Sequence, residues 1–160
     1  MDTAPKPKFA DRIRHIILTV MFQGARFVFT AIKMPIKGAL VAIWDREKIL
    51  LIRKSYQKGW SVPGGLLKRH ETRQQAAVRE AFEETGVQIS EKDLVFVAQI
   101  PGDLGPRDIA HLFEVAVNDP VRIRIDGREI VEAEFVPPDT ALERVINEDL
   151  AAYLRTRVHG

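Results

Sequence analysis

The chain has 160 residues, of which 46% are hydrophobic and 29% are charged, and its net charge is +2. This length and apolar content predict one globular domain with a buried core. The absence of cysteine excludes a disulfide framework, a thiolate zinc site and a cysteine nucleophile, and it fits a cytoplasmic location. No run rich in lysine or arginine indicates duplex nucleic acid as a partner.

Residues 12–33 predict an unusually apolar helix. Nearly every residue from 13 to 32 is apolar except for one narrow stripe of polar side chains that recur every three or four residues. The stripe consists of Arg12, His15, Thr19, Gln23, Arg26, Thr30 and Lys33. The run is too short and too interrupted to predict a transmembrane span. The sequence does not decide which of three surfaces buries its apolar side: the body of the same chain, a second subunit in a homodimer, or a membrane surface near the basic residues at 6–14.

Two strand-forming runs come next along the chain. Gly38–Trp44 and Lys48–Arg53 are separated by a short polar segment, which predicts a β-hairpin. Arg53 and Lys54 end the second strand and are candidates to bind substrate phosphates as charge-assisted donors. The alternative is that both are ordinary surface cations.

A glycine turn follows the hairpin. Tyr56 and Trp60 precede it, and either ring is a candidate to stack on a substrate or to pack in the core. Gly64 and Gly65 allow the backbone to approach a ligand closely, so this turn is a place for backbone groups to meet phosphate or metal. We therefore treat Gly64 as a candidate metal ligand and Gly65 as a supporting residue.

Residues 72–85 predict one helix. Thr72 and Gln75 have the form of a capping box, which starts a helix, and Gly86 stands where a left-handed residue normally stops one. An apolar stripe at helical spacing lies between them and consists of Ala76, Ala77, Ala81 and Phe82.

Three carboxylates, Glu80, Glu83 and Glu84, fall on one patch of this helix because they are three or four residues apart. Like charges this close repel one another, so the cluster predicts a bound cation. Arg79 is expected to neutralise part of the charge and to orient a carboxylate. The oxygen-only donors suit Mg2+, and Mn2+ also fits. The alternative is a solvated acidic helix face.

The rest of the chain predicts more strands and a helical C-terminus. The predicted strands are Leu94–Ile100, Ile109–Val117, Val121–Ile125 and Ile130–Val136, with a loop at Pro101–Pro106 and a turn at Asp126-Gly127. Thr140 and Glu143 have the form of a second capping box, and Asn147 is a possible interruption of the helical region. Mixed strands and helices predict an α/β (α+β) sandwich.

Residues 65–87 resemble, without a gap, the box of the Nudix hydrolases, G-x5-E-x7-R-E-U-x-E-E-x-G-U, in which U is apolar. The matching residues are Gly65, Glu71, Arg79, Glu80, Glu83, Glu84 and Gly86. His70 stands where the family often has glycine. The resemblance implies a mixed sheet between helices over residues 35–160, with residues 1–34 as a basic and apolar helical extension.

The resemblance also implies the reaction, which is hydrolysis of a P–O–P linkage in a nucleoside diphosphate joined to another group. Glu83 or Glu84 is the first choice of general base. Glu129 and Glu132 are second, because some Nudix enzymes use a glutamate outside the box. Glu71 is expected to support the metal site. The competing functions are a non-catalytic module that binds a nucleotide or sugar diphosphate, and a membrane-peripheral hydrolase of a lipid-linked diphosphate.

Overall fold

A computed structural model describes residues 9–32, 36–102, 104, 107–118, 121–125, 127–145 and 147–158. It contains four helices and six strands within these residues. They are α1 (Phe9–Ile32), β1 (Ile36–Asp45), β2 (Lys48–Lys54), β3 (Gly64–Leu66), α2 (Arg73–Thr85), β4 (Val95–Pro101), β5 (Asp108–Val117), β6 (Ile130–Val136), α3 (Pro138–Arg144) and α4 (Glu148–Val158). The predicted N-terminal helix, hairpin and mixed α/β class are confirmed.

The six strands form one mixed sheet in the order β4-β5-β1-β2-β6, and β3 pairs with β1 beside this path. β1 and β2 form the antiparallel hairpin, and β3 also runs antiparallel to β1. The long β1–β5 pair is the parallel one. Because β1 lies in the middle, its neighbours β2 and β3 bring the predicted cationic strand end and the glycine turn to the same region.

The two faces of the sheet bury different side chains of β1, as a strand with a period of two requires. Ala39, Val41 and Ile43 face a core that includes the apolar side of α2. Ala42 faces the other core, in which residues of α3 and α4 pack. The sheet is therefore enclosed between α2 on one side and the two C-terminal helices on the other.

Helix α2 begins and ends as its sequence predicts. The Thr72 side chain accepts a hydrogen bond from the Gln75 N–H at 3.1 Å, and the Gln75 side chain accepts one from the Thr72 N–H at 3.0 Å. Gly86 is left-handed, with φ of 72°, and its N–H donates to the Phe82 carbonyl. His70 also has a positive φ, 65°, so this chain holds a histidine in the conformation that glycine adopts most easily.

The C-terminal helices start differently from the prediction. Helix α3 begins at Pro138 after Pro137, and no side chain caps it, so the capping box predicted at Thr140 and Glu143 is wrong. Pro138 fixes a helical φ and lacks an N–H, which suits the first turn without a cap. The break at Asn147 is confirmed, because its Oδ1 accepts the Leu150 N–H at 2.9 Å at the start of α4.

The strand predicted at Val121–Ile125 is also wrong. Its alternation arises because Val121 and Ile123 pack against the α2-side core. The Arg124 N–H donates to the Thr85 carbonyl at 2.7 Å, so the segment bonds to the end of α2 instead of a strand. Of the predicted Pro101–Pro106 loop, residues 103, 105 and 106 lie outside the described residues, as does Asp126 of the predicted turn.

Helix α1 lies beside this sandwich with much of its apolar surface exposed. The ring of Phe22 contacts that of Tyr56, with 5.1 Å between centroids. The side chains of Arg12, His15 and Lys33 in the predicted polar stripe lie outside the described part of the chain. No helix among the described residues is both long and apolar enough to cross a bilayer.

The distance between α2 and the sheet depends on small residues. Ala76, Ala77 and Ala81 are fully buried in the α2-side core. We expect Ala77→Leu to lower the free energy of unfolding by about 1–3 kcal/mol, because added methylenes overpack a filled core. Urea denaturation measures the change. Ala152→Leu, at an exposed position of α4, is the matched control and should be neutral; equal effects at both sites would contradict close packing of α2.

Candidate active site

A cleft of about 1520 Å3 lies where β2, β3 and α2 meet. Its walls come from the β2 end and following loop, the glycine turn, the exposed edge of α2 and one side of α1. Most of the predicted site residues line it: Arg53, Lys54, Tyr56, Trp60, Gly64, Gly65, Arg79, Glu80, Glu83 and Glu129. Glu71, Glu84, Gly86 and Glu132 do not line it.

Arg79 is the centre of an ionic network at the rim. Its Nε and Nη2 donate to the two oxygens of Glu71 at 2.7 and 2.9 Å, which is a bidentate pair. Its Nη1 donates to Glu80 at 2.5 Å and to Glu83 at 3.0 Å. Nη2 also donates to the Leu66 carbonyl at 3.0 Å, which ties α2 to β3. Arg79 therefore fixes three of the four box carboxylates and one strand.

These contacts keep two carboxylates ionised. The hydrogen bonds from Arg79 lower the pKa of Glu71 to about 2, and the Lys68 N–H helps. Burial acts to raise the pKa of Glu83, but hydrogen bonds from Lys68 and Arg79 outweigh it, so the pKa of Glu83 is lowered. Both groups hold a full negative charge at neutral pH.

Glu84 is separated from the other carboxylates. It follows Ala77 and Ala81 by seven and three residues, so it lies on the buried face of α2 and is only 6% exposed. The Lys54 ammonium lies 2.6 Å from its Oε1, and the Gly64 N–H donates to its Oε2 at 2.8 Å. Lys54 also donates to the Gly64 carbonyl at 2.8 Å. Glu84 thus joins the end of β2, the glycine turn and α2.

Burial raises the pKa of Glu84 to about 7, although Lys54 and the Gly64 N–H oppose the rise. Removing a carboxylate from water disfavours its charged form, and one ammonium does not fully compensate. In the metal-free protein the Glu84 carboxylate therefore takes up a proton at a higher pH than an exposed glutamate does.

The glycines of the turn are required by close approach. A Cβ on Gly65 would lie 2.6 Å from the Glu80 carboxyl carbon, so only glycine leaves Glu80 its place. A Cβ on Gly64 would lie 2.8 Å from the Leu40 Cα, a backbone atom that cannot move aside. Gly86 lies further away and ends α2.

The donors at this site suit a hard cation. Glu80, Glu83 and Glu84 offer carboxylate oxygens and Gly64 a carbonyl oxygen, the ligand type that Mg2+ and Mn2+ prefer. The Lys54 ammonium between the Gly64 carbonyl and Glu84 stands in for such a cation. Among the described residues, no three His, Asp or Glu side chains converge as a ready cluster. Arg79 and Lys54 instead hold the carboxylates on two sides of the turn.

The second-choice carboxylates lie at and beside β6, which pairs with β2. Glu129 precedes β6 and accepts a hydrogen bond from the Tyr56 hydroxyl at 2.6 Å. Burial, together with this contact, raises the pKa of Tyr56. Glu132 pairs with Arg53 across β2 and β6 and does not line the cleft. Glu129 is therefore the better placed of the two to reach a ligand.

Trp60 has protein partners that favour a packing role. The Arg144 guanidinium lies 5.2 Å from the centre of its ring, and the indole packs against the core on the α3 and α4 side. Its edge still lines the cleft. Substrate contact through this ring stays a prediction.

Ser55 and Phe22 line the cleft but carry no signal in the sequence. The Ser55 Oγ is buried and makes no hydrogen bond within the described residues. Phe22 contacts Tyr56 from helix α1. In the sequence, a single serine after a cationic pair and a single aromatic residue in an apolar helix look like ordinary residues. Only the fold shows that they line a cleft.

The buried Glu84 gives the metal-free protein a specific pH dependence. Its pKa is higher in the folded state, about 7, than the ordinary 4.5, so ionising it costs stability as pH rises between these values. Relative to Glu84→Gln, we expect the wild type to lose about 3 kcal/mol of unfolding free energy from pH 4.5 to 8. Denaturation in a chelator measures this. Parallel curves for the two proteins would contradict the raised pKa.

Lysine should not be able to replace the guanidinium of Arg79. A lysine keeps the charge but cannot donate bidentately to Glu71 while also reaching Glu80 and Leu66. We expect Arg79→Lys to lower the free energy of unfolding by about 2–3 kcal/mol. Arg155→Lys is the matched control, because Arg155 forms an exposed 3.5 Å pair with Glu148. A difference below 0.5 kcal/mol between the variants, roughly the size of ordinary surface effects, would refute the network's importance.

Comparison with known proteins gives a consistent result. The family model of the NUDIX domain matches residues 34–156. A Bacillus subtilis (strain 168) protein provisionally named an 8-oxo-dGTP diphosphatase is 31% identical over 106 residues, which are 66% of this chain and 68% of that protein. The NAD-capped RNA hydrolase NudC of Salmonella heidelberg is 31% identical over 123 residues, 70% of this chain, but the match spans only 46% of that relative.

Solved structures agree on the fold. The MutT protein of Methanosarcina mazei Go1 has a TM-score of 0.66 at 20% identity, covering 79% of this chain and 96% of that one. A C. elegans Ap4A hydrolase has a TM-score of 0.65 at 19% identity, covering 75% and 93%. The carboxylates, Arg79 and the glycine turn are thus set in a fold that these proteins share. The chain belongs to the Nudix family and is a hydrolase that acts on diphosphate bonds.

Proposed function

We propose that the protein hydrolyses, with Mg2+, the P–O–P linkage of a nucleoside diphosphate joined to another group. The observation that carries the proposal is that Gly64, Glu80 and Glu83 line one cleft while Glu84 accepts the Gly64 N–H beside it. The cleft, about 1520 Å3, has room for both halves of such a substrate. The lack of cysteine supports a reducing, cytoplasmic setting.

Mg2+ would be held by Glu80, Glu83, Glu84 and the Gly64 carbonyl, and Mn2+ by the same oxygens. When bound, the ion neutralises charge on the phosphate oxygens and lowers the barrier to attack by water. Arg79 keeps Glu80 and Glu83 in place, and Glu71 in turn orients Arg79. Gly65 leaves room for Glu80, and Gly86 ends α2 directly after Glu84.

Glu83 is our first choice to take the proton of the attacking water. Its side chain is 49% exposed at the cleft, and its lowered pKa keeps it ionised at neutral pH. Glu84 is less accessible because Lys54 and Gly64 engage both of its oxygens. Glu129, which lines the cleft and accepts the Tyr56 hydroxyl hydrogen bond, is the second choice, whereas Glu132 pairs with Arg53 and does not line the cleft.

Different side chains of the cleft would contact the charged and the aromatic parts of the substrate. Arg53 and Lys54 supply cationic donors for phosphate oxygens beside the glycine turn. The ring of Tyr56, held by Glu129 and Phe22, offers a surface on which a base stacks, and Trp60 offers a second edge. The Ser55 hydroxyl is a further donor or acceptor. The names of the two relatives, an 8-oxo-dGTP diphosphatase and an NAD-capped RNA hydrolase, support a nucleotide substrate.

A substrate screen tests the proposal directly. Purified protein is incubated with nucleoside triphosphates, nucleotide sugars, ADP-ribose, dinucleoside polyphosphates and capped RNA, with Mg2+ or with a chelator, and released phosphate and mononucleotide are measured. We expect Glu83→Gln and Glu84→Gln each to reduce turnover by at least 100-fold, since general base and metal contributions are of this order. Glu91→Gln, at an exposed position outside the cleft, is the matched control.

The result also separates a hydrolase of this substrate class from a binding module. Nucleotide binding by calorimetry, with no Mg2+-dependent product from any compound, would favour a binding module. Turnover unchanged in both glutamine variants would refute the residue assignments while leaving the substrate class intact.

A further inference from the structure

Helix α1 is oriented with its polar side toward the cleft and its apolar side away from the protein. Thr19, Gln23 and Arg26 line the cleft, and Phe22 contacts Tyr56. A surface helix normally presents the opposite arrangement, with its apolar stripe against the core. The described part of the chain therefore leaves the apolar side of α1 without a cover.

The uncovered side is one continuous face. At 3.6 residues per turn, its members fall within an arc of about 140°. They are Ile13, Ile16, Ile17, Val20, Met21, Phe27 and Val28, with exposures from 43% at Ile13 to 76% at Phe27. Gly24 lies in the middle of the arc, and a Cβ there would meet nothing within 4 Å. A contiguous apolar patch of this size indicates a protein or membrane contact, unlike single exposed apolar residues.

The charge around this helix distinguishes between the two kinds of contact. Residues 1–37 contain seven lysines and arginines and two aspartates, a net charge of +5. The whole chain has +2, so residues 38–160 have −3. Pairing α1 with a second copy would bring two strongly basic segments together, whereas an anionic lipid surface attracts such a segment.

We propose that α1 is an interfacial helix that docks its outward apolar face on an anionic lipid surface. Large apolar side chains would enter the boundary between headgroups and acyl chains, and the basic residues of the segment other than Arg26, which lines the cleft, would attract the headgroups. The opposite side of the same helix lines the cleft, so docking would place the cleft beside the surface. The proposal concerns where the enzyme is held and does not depend on which diphosphate it cleaves.

Vesicle cosedimentation tests the docking. The full chain is mixed with vesicles of phosphatidylcholine, or of phosphatidylcholine with about 30% phosphatidylglycerol, a fraction chosen to resemble anionic leaflets. We expect binding to the anionic vesicles that weakens at high salt. Val20→Glu should reduce the partition coefficient at least tenfold. Val95→Glu is the matched control, because Val95 is 58% exposed on β4 and Val20 is 65% exposed.

A second measurement reads the orientation of the helix. Phe27→Trp places a tryptophan on the outward face, and Phe22→Trp places one on the side that lines the cleft, about 140° away around the helix. Brominated lipid should quench the added fluorescence of Phe27→Trp much more than that of Phe22→Trp. Equal quenching would overturn the orientation that we propose.

The alternatives give different results. No binding to either vesicle, with light scattering that shows a dimer in the wild type and a monomer in Val20→Glu, would overturn the proposal in favour of a second copy as the cover. No vesicle binding by a monomeric wild type would overturn both. Hydrolysis of a soluble nucleotide by Val20→Glu at the wild-type rate would show that a docking failure leaves the proposed function untouched.

Discussion

The arrangement of the site depends on one carboxylate, that of Glu84, which lies on the buried apolar face of helix α2. Glu84 follows Ala77 and Ala81 on the face of α2 that packs on the sheet, and its charge would be costly there without partners. Lys54 and the Gly64 N–H supply them, so the end of β2 and the start of β3 must approach α2. The cleft is formed at this meeting point. An apolar residue at 84 would remove the partner of the Gly64 N–H and the ion pair of Lys54. Of the three contacts that join Glu84, Lys54 and Gly64, it would leave only that of Lys54 with the Gly64 carbonyl.

The sequence predicts most of this region because its signals are local. Helix α2 has a cap at each end, and three or four residues of spacing place Glu80, Glu83 and Glu84 near one another whatever the fold. Local spacing cannot show that these three carboxylates separate into two groups in the folded protein. Glu80 and Glu83 remain at the rim with Arg79, whereas Glu84 turns inward toward Lys54, and this division depends on where the sheet lies against α2.

The errors arise where alternation or capping patterns have more than one physical origin. Val121–Ile125 alternates because Val121 and Ile123 cover the core beside α2, and alternate burial needs no strand partner. The Thr140 pattern fails because Pro138 already begins α3 by fixing φ. Helix α1 is the longest segment whose sequence pattern has more than one physical explanation. Its sequence gives the width of the apolar surface, but only the position of Thr19, Gln23 and Arg26 at the cleft shows which side faces outward.

The two walls of the cleft are consequently held by forces of different strength. The wall of β2, β3 and α2 is joined by ion pairs and buried hydrogen bonds, and Glu71, Glu80 and Glu83 cannot move without breaking contacts with Arg79. The wall of α1 approaches the body through an aromatic contact and cleft-lining side chains, with its apolar face exposed. A segment with few buried apolar contacts opens more easily than a packed one. A cover on the apolar face of α1 would therefore stabilise this wall of the cleft.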